Sequence, residues 1–307
     1  MRSLSLFAVP VVFVIACVGS ESSTPTASPD AGVGTGDSGG GSPDGSSPVD
    51  SSTPVVDAAD GAGPWTPAQL GGLALWLDGD AATSNVNGTV DVWTDKSANH
   101  TNATTANASQ KPLLQTGGSA INGHQALRFD GATSFFTIAD GASLRFTQSF
   151  VIEVVFRHAA ATASEDLPIF SKQTDTVLNN PKGPVLLIAS SLSSPYPSYM
   201  EAVVGAGAFI DTEKNTGFTA GTHRARMAWN LGTMTLSTQL DKGVVASAVE
   251  NNVTGLDAVG HDVLIGKDLN SNFLKADLAE IVVITGATIA DADVTTLQGF
   301  LDTKYGL

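Results

Sequence analysis

The chain has one cysteine, Cys17, so no disulfide can staple any part of its 307 residues, and whatever folds must be held by packing alone. That requirement divides the sequence. From Val18 to Gly63 there is no aromatic residue, and almost every position is Ser, Thr, Pro, Gly, Ala, Asp or Val. Such a segment buries too little apolar surface to offset the entropy of ordering it, and is expected to be a disordered spacer. Residues 65–307 are long enough for one domain with a substantial core, since all-β sandwiches of about 200–250 residues fold as single units. The expected organisation is a leader over 1–16, a linker over 17–64 and a folded domain over 65–307.

After Pro64 the pattern changes to short runs of alternating apolar and polar residues separated by Gly, Asn, Asp and Pro. Strands are expected at 89–93, 125–129, 134–138, 150–156, 185–189, 223–229, 234–240, 263–266 and 277–284. In the run around Trp229, the period of two puts Ala225, Met227 and Trp229 on one face. Asp130-Gly131, between Phe129 and the Ser134–Phe136 segment, predicts a hairpin, because that pair accepts positive φ readily. One helix is expected at the C-terminus. Val294, Leu297, Leu301 and Tyr305 recur at three- and four-residue spacing, Asp291 and Asp293 lie in the first turn, and Gly306 follows Lys304 as a stop. Many short strands with one helix indicate an all-β, antiparallel β-sandwich.

The N-terminal segment carries a resemblance. Arg2, the apolar stretch Leu4–Ala16 and the small residue Ala16 have the layout of a secretory signal, and the stretch is too short to span a bilayer. Val14–Cys17 resembles the lipobox of bacterial lipoproteins. That resemblance implies cleavage before Cys17, lipids on the cysteine, and anchoring in the cell envelope, at the outer membrane or cell surface. Several acyl chains anchor stably where one does not.

Further on, Gly72–Asp78, Val92–Ser97, Asn122–Gly131, Asp277–Ile284 and Phe300–Leu307 together resemble the LamG-like, concanavalin A-like lectin/glucanase domains of bacterial surface proteins. The similarity runs from about Gly72 to Leu307. It implies a jelly roll of two antiparallel sheets, in a superfamily of lectins, sugar-binding and adhesion modules and glycoside hydrolases. Ala290 departs from the pattern, standing where a Ser or Thr helix cap is usual.

The chemistry-bearing residues fit binding better than catalysis. Acidic residues outnumber basic ones, 30 to 15, which argues against nucleic acid as a partner. It also disfavours electrostatic adsorption to anionic lipid, leaving the lipid on Cys17 as the membrane attachment. Glycoside hydrolysis needs two carboxylates flanking the scissile bond, and no Glu-x-Asp-x-Glu or Glu-x-Asp-x-x-Glu strand is present. Asp277 and Glu280 are three apart, which on a regular strand puts them on opposite faces. Glu153 lies among apolar strand residues. The five histidines are dispersed, with no zinc-binding pattern, and neither Ser190-Ser191 nor Ser193-Ser194 stands in a nucleophile elbow.

No catalytic residue is therefore assigned. Asp78 and Asp80 are closely spaced carboxylates that could hold calcium, as relatives in the superfamily do, although Asp-Gly also favours a plain turn. Asp95 and Asp130 carry the same two readings, with an Asx-type turn fitting Asp95 and the hairpin fitting Asp130. Tyr196 and Tyr199, in the Pro-rich stretch 195–199, are the candidate ligand-binding rings. The expected function is a lipid-anchored, non-catalytic binding or adhesion module whose partner is a polysaccharide, a surface glycan or an envelope protein. The alternatives are a polysaccharide-active glycoside hydrolase or lyase, and a structural envelope protein.

Overall fold

The computed structural model describes residues 63–159, 164–174, 183–190, 198–205, 209–213, 217–249, 256 and 260–307. Cys17, Tyr196, the expected leader and nearly all of the expected linker lie outside these residues.

In chain order the strands are β1 (Leu73–Asp78), β2 (Val92–Trp93), β3 (Ala103–Thr104), β4 (Leu113–Gln115), β5 (Ala126–Arg128), β6 (Phe136–Ile138), β7 (Ser149–His158) and β8 (Glu165–Ser171). They continue as β9 (Gly183–Ser190), β10 (Ser198–Gly205), β11 (Phe209–Glu213), β12 (Gly221–Asn230), β13 (Thr235–Leu240), β14 (Ala246–Val249), β15 (Val263–Ile265) and β16 (Asp277–Gly286), before helix α1 (Asp291–Tyr305). They form two antiparallel sheets. The first runs β14-β13-β12-β7-β16-β5-β4, with β1 also on β16; the second runs β11-β10-β9-β8-β15-β6-β3-β2. The chain is an antiparallel β-sandwich with a C-terminal helix.

The sheets face each other across an aromatic core. Trp93, Phe129, Phe136, Phe146, Phe150, Phe156, Phe170 and Trp229 are all buried there. Burying each such side chain is worth roughly 1.5–3 kcal/mol, and edge-on ring pairs such as Phe146–Phe150, at 4.8 Å, add to that. Ala225, Met227 and Trp229 share this inner face, as their spacing predicts.

A second apolar layer lies on the other side of the first sheet. Val294, Leu297, Leu301 and Tyr305 of α1 are buried, and the last three join Trp76, Ile121, Val155, Val282 and Ile284 in one cluster. The centre of this sheet is thus covered on both faces. That is why Leu73–Leu77 and Ile281–Ile284 read as unbroken apolar runs rather than alternating ones. α1 begins at Ala290 with no side-chain cap and ends at Gly306, whose φ of 70° satisfies the Asp302 carbonyl through its N–H.

Three expectations are corrected. Asp130-Gly131 does not close a hairpin, because β5 and β6 belong to different sheets and the turn carries the chain between them. The Asp130 carboxylate accepts the N–H groups of Ala132, Thr133 and Ser134, and those bonds build the crossover. Asp277 and Glu280 do not face opposite ways. The β16–β7 register shifts between Leu278 and Glu280, and the extra residue restores both acids to the outer face of the first sheet. β8 was also not foreseen, because Pro168 interrupts its pattern. It is accommodated at a second register shift, between Pro168 and Phe170.

Candidate functional site

The carboxylates singled out beside β1 sit at the edge of an ionic cluster beneath α1. β1 and β16 pair Asp78 with Glu280, which sets both on the face that α1 covers. Glu280 is fully buried; it accepts from Trp76 Nε1 at 2.7 Å, Tyr305 Oη at 2.8 Å and Lys304 Nζ at 2.9 Å. Lys304 also donates to Asp78 Oδ1 at 2.8 Å, and Lys96 to Asp78 Oδ2 at 2.8 Å. Burial opposes ionisation of Asp78, yet Lys304 and Lys96 hold its carboxyl below the usual range. Burial pushes Glu280 up despite Lys304, and burial followed by the Glu280 charge pushes the Tyr305 hydroxyl up. Both oxygens of Asp78 are thus taken by ammonium groups of the chain itself.

Asp80 stands at the margin of the cluster, its Oδ2 3.6 Å from Lys304 Nζ. Its Oδ2 meets His124 Nδ1 at 2.6 Å, and its Oδ1 accepts from the Gln125 amide at 2.8 Å. The contact fixes the His124 ring, which packs edge-on against Tyr305 at 5.4 Å. Among the described residues no three His, Cys, Asp or Glu side chains gather closely enough to hold a metal ion.

Above this cluster, α1 and the start of the folded chain enclose an open depression of about 630 Å³. Trp65 and Phe300 form its aromatic wall, their rings edge-to-face at 5.5 Å and both half-buried. Thr296, Thr303, His124 and Lys304 surround the rings. The two threonines donate their hydroxyls to helix carbonyls, Thr296 to Ala292 and Thr303 to Gly299, and keep lone pairs to accept from a ligand. Gly299 forms part of the floor, and a Cβ there would meet nothing within 4 Å. Glycine inside a helix costs about 1 kcal/mol relative to alanine. No internal packing calls for it, and its effect is to leave room beside the rings.

The shelf was only partly visible in the sequence. Trp65 and Phe300 stand out as residues, but nothing local brings them together across 235 positions of chain. The signal was available in α1: Phe300 falls outside the stripe of Val294, Leu297, Leu301 and Tyr305, and its ring sits at the edge of the second apolar layer rather than within it.

Of the two candidate rings, Tyr196 lies outside the described residues. Tyr199 is on β10 rather than in a loop, opposite Ala189, and packs half-buried against Val185, Leu187, Ala189 and Val203. Asp95 makes the expected turn, accepting from Ser97 N at 2.9 Å, and also from Trp76 N. Asp277 is clasped by Arg128 and Arg157, with contacts of 2.8 and 2.5 Å. Glu153 is buried and bonded to Arg224 and Gln298.

No family model matches the sequence, and no curated protein does. Among solved structures, it is similar to the binding domain of Paraclostridial Mosquitocidal Protein 1, at 12% identity and a TM-score of 0.54, over 75% of this chain and 52% of that one. An arabinofuranosidase complexed with arabinofuranosyl-α-1,2-xylobiose is similar at 11% identity and a TM-score of 0.53, over 78% of this chain and 60% of that one. The ligand binding domain of botulinum neurotoxin serotype D, in complex with N-acetylneuraminic acid, gives 9% and 0.52, over 75% and 51%. These likenesses are of fold, and this chain spans between half and three-fifths of each of those chains.

Proposed function

We propose that this chain is a lipid-anchored, non-catalytic glycan-binding module of a bacterial envelope, with Cys17 as the anchor, residues 17–64 as the spacer and a LamG-like sandwich as the binding domain. The observation that carries the reading is the Trp65–Phe300 shelf. Sugars present an apolar ring face and a rim of hydroxyls, and the shelf offers aromatic rings ringed by Thr296, Thr303, His124 and Lys304. Fold neighbours that include a toxin domain holding N-acetylneuraminic acid and a glycosidase holding an arabinofuranosyl xylobiose support the ligand class. The test is retention of the purified full-length protein on immobilised polysaccharides, with calcium and then with chelator, reading binding and released reducing sugar together. Trp65→Ala and Phe300→Ala are each expected to weaken retention by tenfold or more without unfolding the protein. Retention unchanged in both would sink the shelf as the site.

A further inference from the structure

α1 covers only part of the outer face of the first sheet. Beyond its first turn, the outward residues of β12 and β13 form the floor of a separate cleft of about 370 Å³. Arg226, Asn230, Thr233, Thr235 and Ser237 line it, opposite Thr288.

Arg226 is the anomaly. Its Nε is shut off from solvent and has no hydrogen-bond partner among the described residues. Arg224, two residues earlier on the same face, is held by Asp302 at 2.8 Å and Glu153 at 3.2 Å. Arg128 and Arg157 are taken up by Asp277, and Arg145 by Asp140. Its strand partner Glu153 feels the Arg226 charge, but that carboxylate gives its hydrogen bonds to Arg224 and Gln298. In a chain with 30 acidic residues and 15 basic ones, an arginine whose Nε lacks an acceptor beside a hydroxyl-lined cleft has a donor to give away.

We infer that this cleft binds the carboxylate or sulfate of an acidic sugar, with Arg226 as the residue that grips the anion. The inference rests on the glycan-binding reading and names the class of glycan. Ser237, Thr235 and Asn230 bond the sugar hydroxyls around the anion. The exposed carboxylate of Asp291, on the rim, accepts from hydroxyls and repels an anion placed too close to it, so the acidic group is directed to the Arg226 end. The net charge of -15 opposes indiscriminate adsorption of polyanions, so retention of one requires a local site.

The test compares the full-length protein, at physiological salt, on polygalacturonate, dextran sulfate and neutral dextran. Tighter retention of the uronate or the sulfated polymer than of dextran is expected, and which of the two is retained identifies the anion. Arg226→Gln is expected to lower that retention at least tenfold. Arg226→Lys keeps the charge but loses the fork, and should fall between. Ser237→Leu fills the cleft without touching Arg226 and should block binding too, which keeps the test decisive if an Arg226 variant misfolds. Lys242→Gln, which removes a cation 71% exposed outside the cleft, should bind as wild type. Equal retention of all three polymers, or wild-type retention by Arg226→Gln and Ser237→Leu, overturns the inference. If Trp65→Ala loses binding in that case, the shelf survives alone; if the wild type retains none of the polymers, both readings fall.

Discussion

At the scale of single residues, the ionic groups under α1 are held by their partners so firmly that removing one strands the rest. Glu280 is fully buried and bonded to three donors, so Glu280→Ala would leave the Trp76 indole without its acceptor, Tyr305 with only the Ala279 carbonyl at 3.4 Å, and Lys304 with Asp78 but no Glu280 charge beside it. Breaking a buried pair from one side costs about 3–5 kcal/mol, which in a domain of this size is expected to lower the melting temperature by roughly 10 °C. A melt within a degree or two of wild type would contradict this account of the cluster. Asp140 contributes to the pH dependence, alongside Asp78, Asp130 and Asp241, whose carboxyls are also held below the usual range. Lys172, buried and donating at 2.6 Å, brings the Asp140 carboxyl down to about 2, helped by the Gly260 amide. Its native value lies below the unfolded one, so the unfolded chain binds more protons as pH falls. The stabilisation is present above the ordinary aspartate range, near pH 4, and is lost as pH drops through about 2. Denaturant midpoints taken down this range should fall, and Asp140→Asn should flatten the slope. Residue chemistry was the least legible level in the sequence. Asp78 and Asp80 were singled out as carboxylates that could hold calcium, and the partners the structure gives them, Lys304 and His124, come from distant segments that spacing cannot relate.

At the scale of elements, periodicity was a good guide where strands are regular and a poor one where they are not. Nine expected strands correspond to observed ones with shifted ends, and the stripe of α1 is as predicted. What failed was parity. The bulge in β16 undid the opposite-face argument for Asp277 and Glu280, and the crossover at Asp130 undid the hairpin, because both depend on which strand lies alongside rather than on local preference. α1 offers two clean tests. Ala290 caps the helix without a side-chain bond, so Ala290→Ser is expected to add about 0.5–2 kcal/mol, read as a raised melting temperature. Gly299→Ala should also stabilise, by about 1 kcal/mol, yet weaken glycan retention by putting a methyl group on the shelf. A variant that gains stability and keeps full binding would remove the argument that the glycine serves a ligand.

At the scale of the whole molecule, the β-sandwich followed from many short strands, one helix and no disulfide, while the placement of a site on it did not, because a binding surface is assembled from remote segments. The proposed anchoring is tested by Cys17→Ser, which is expected to move the protein from the membrane pellet to the soluble fraction after cell fractionation. Persistence in the pellet would discard the lipid attachment. The way β1 is paired has a further consequence for how the chain comes into being. Its strand partner is β16, and the Trp76–Glu280 bond closes a separation of 204 residues, with Lys304 reaching Asp78 from farther still. A ribosome or a translocation channel delivers the chain from its beginning, so β1, although it meets Asp95 and Lys96 early, must wait for its strand partner until β16 has emerged. The native sandwich cannot be completed ahead of schedule, and a chain that stays open until β16 and α1 arrive is one that can still be threaded through a channel before it locks.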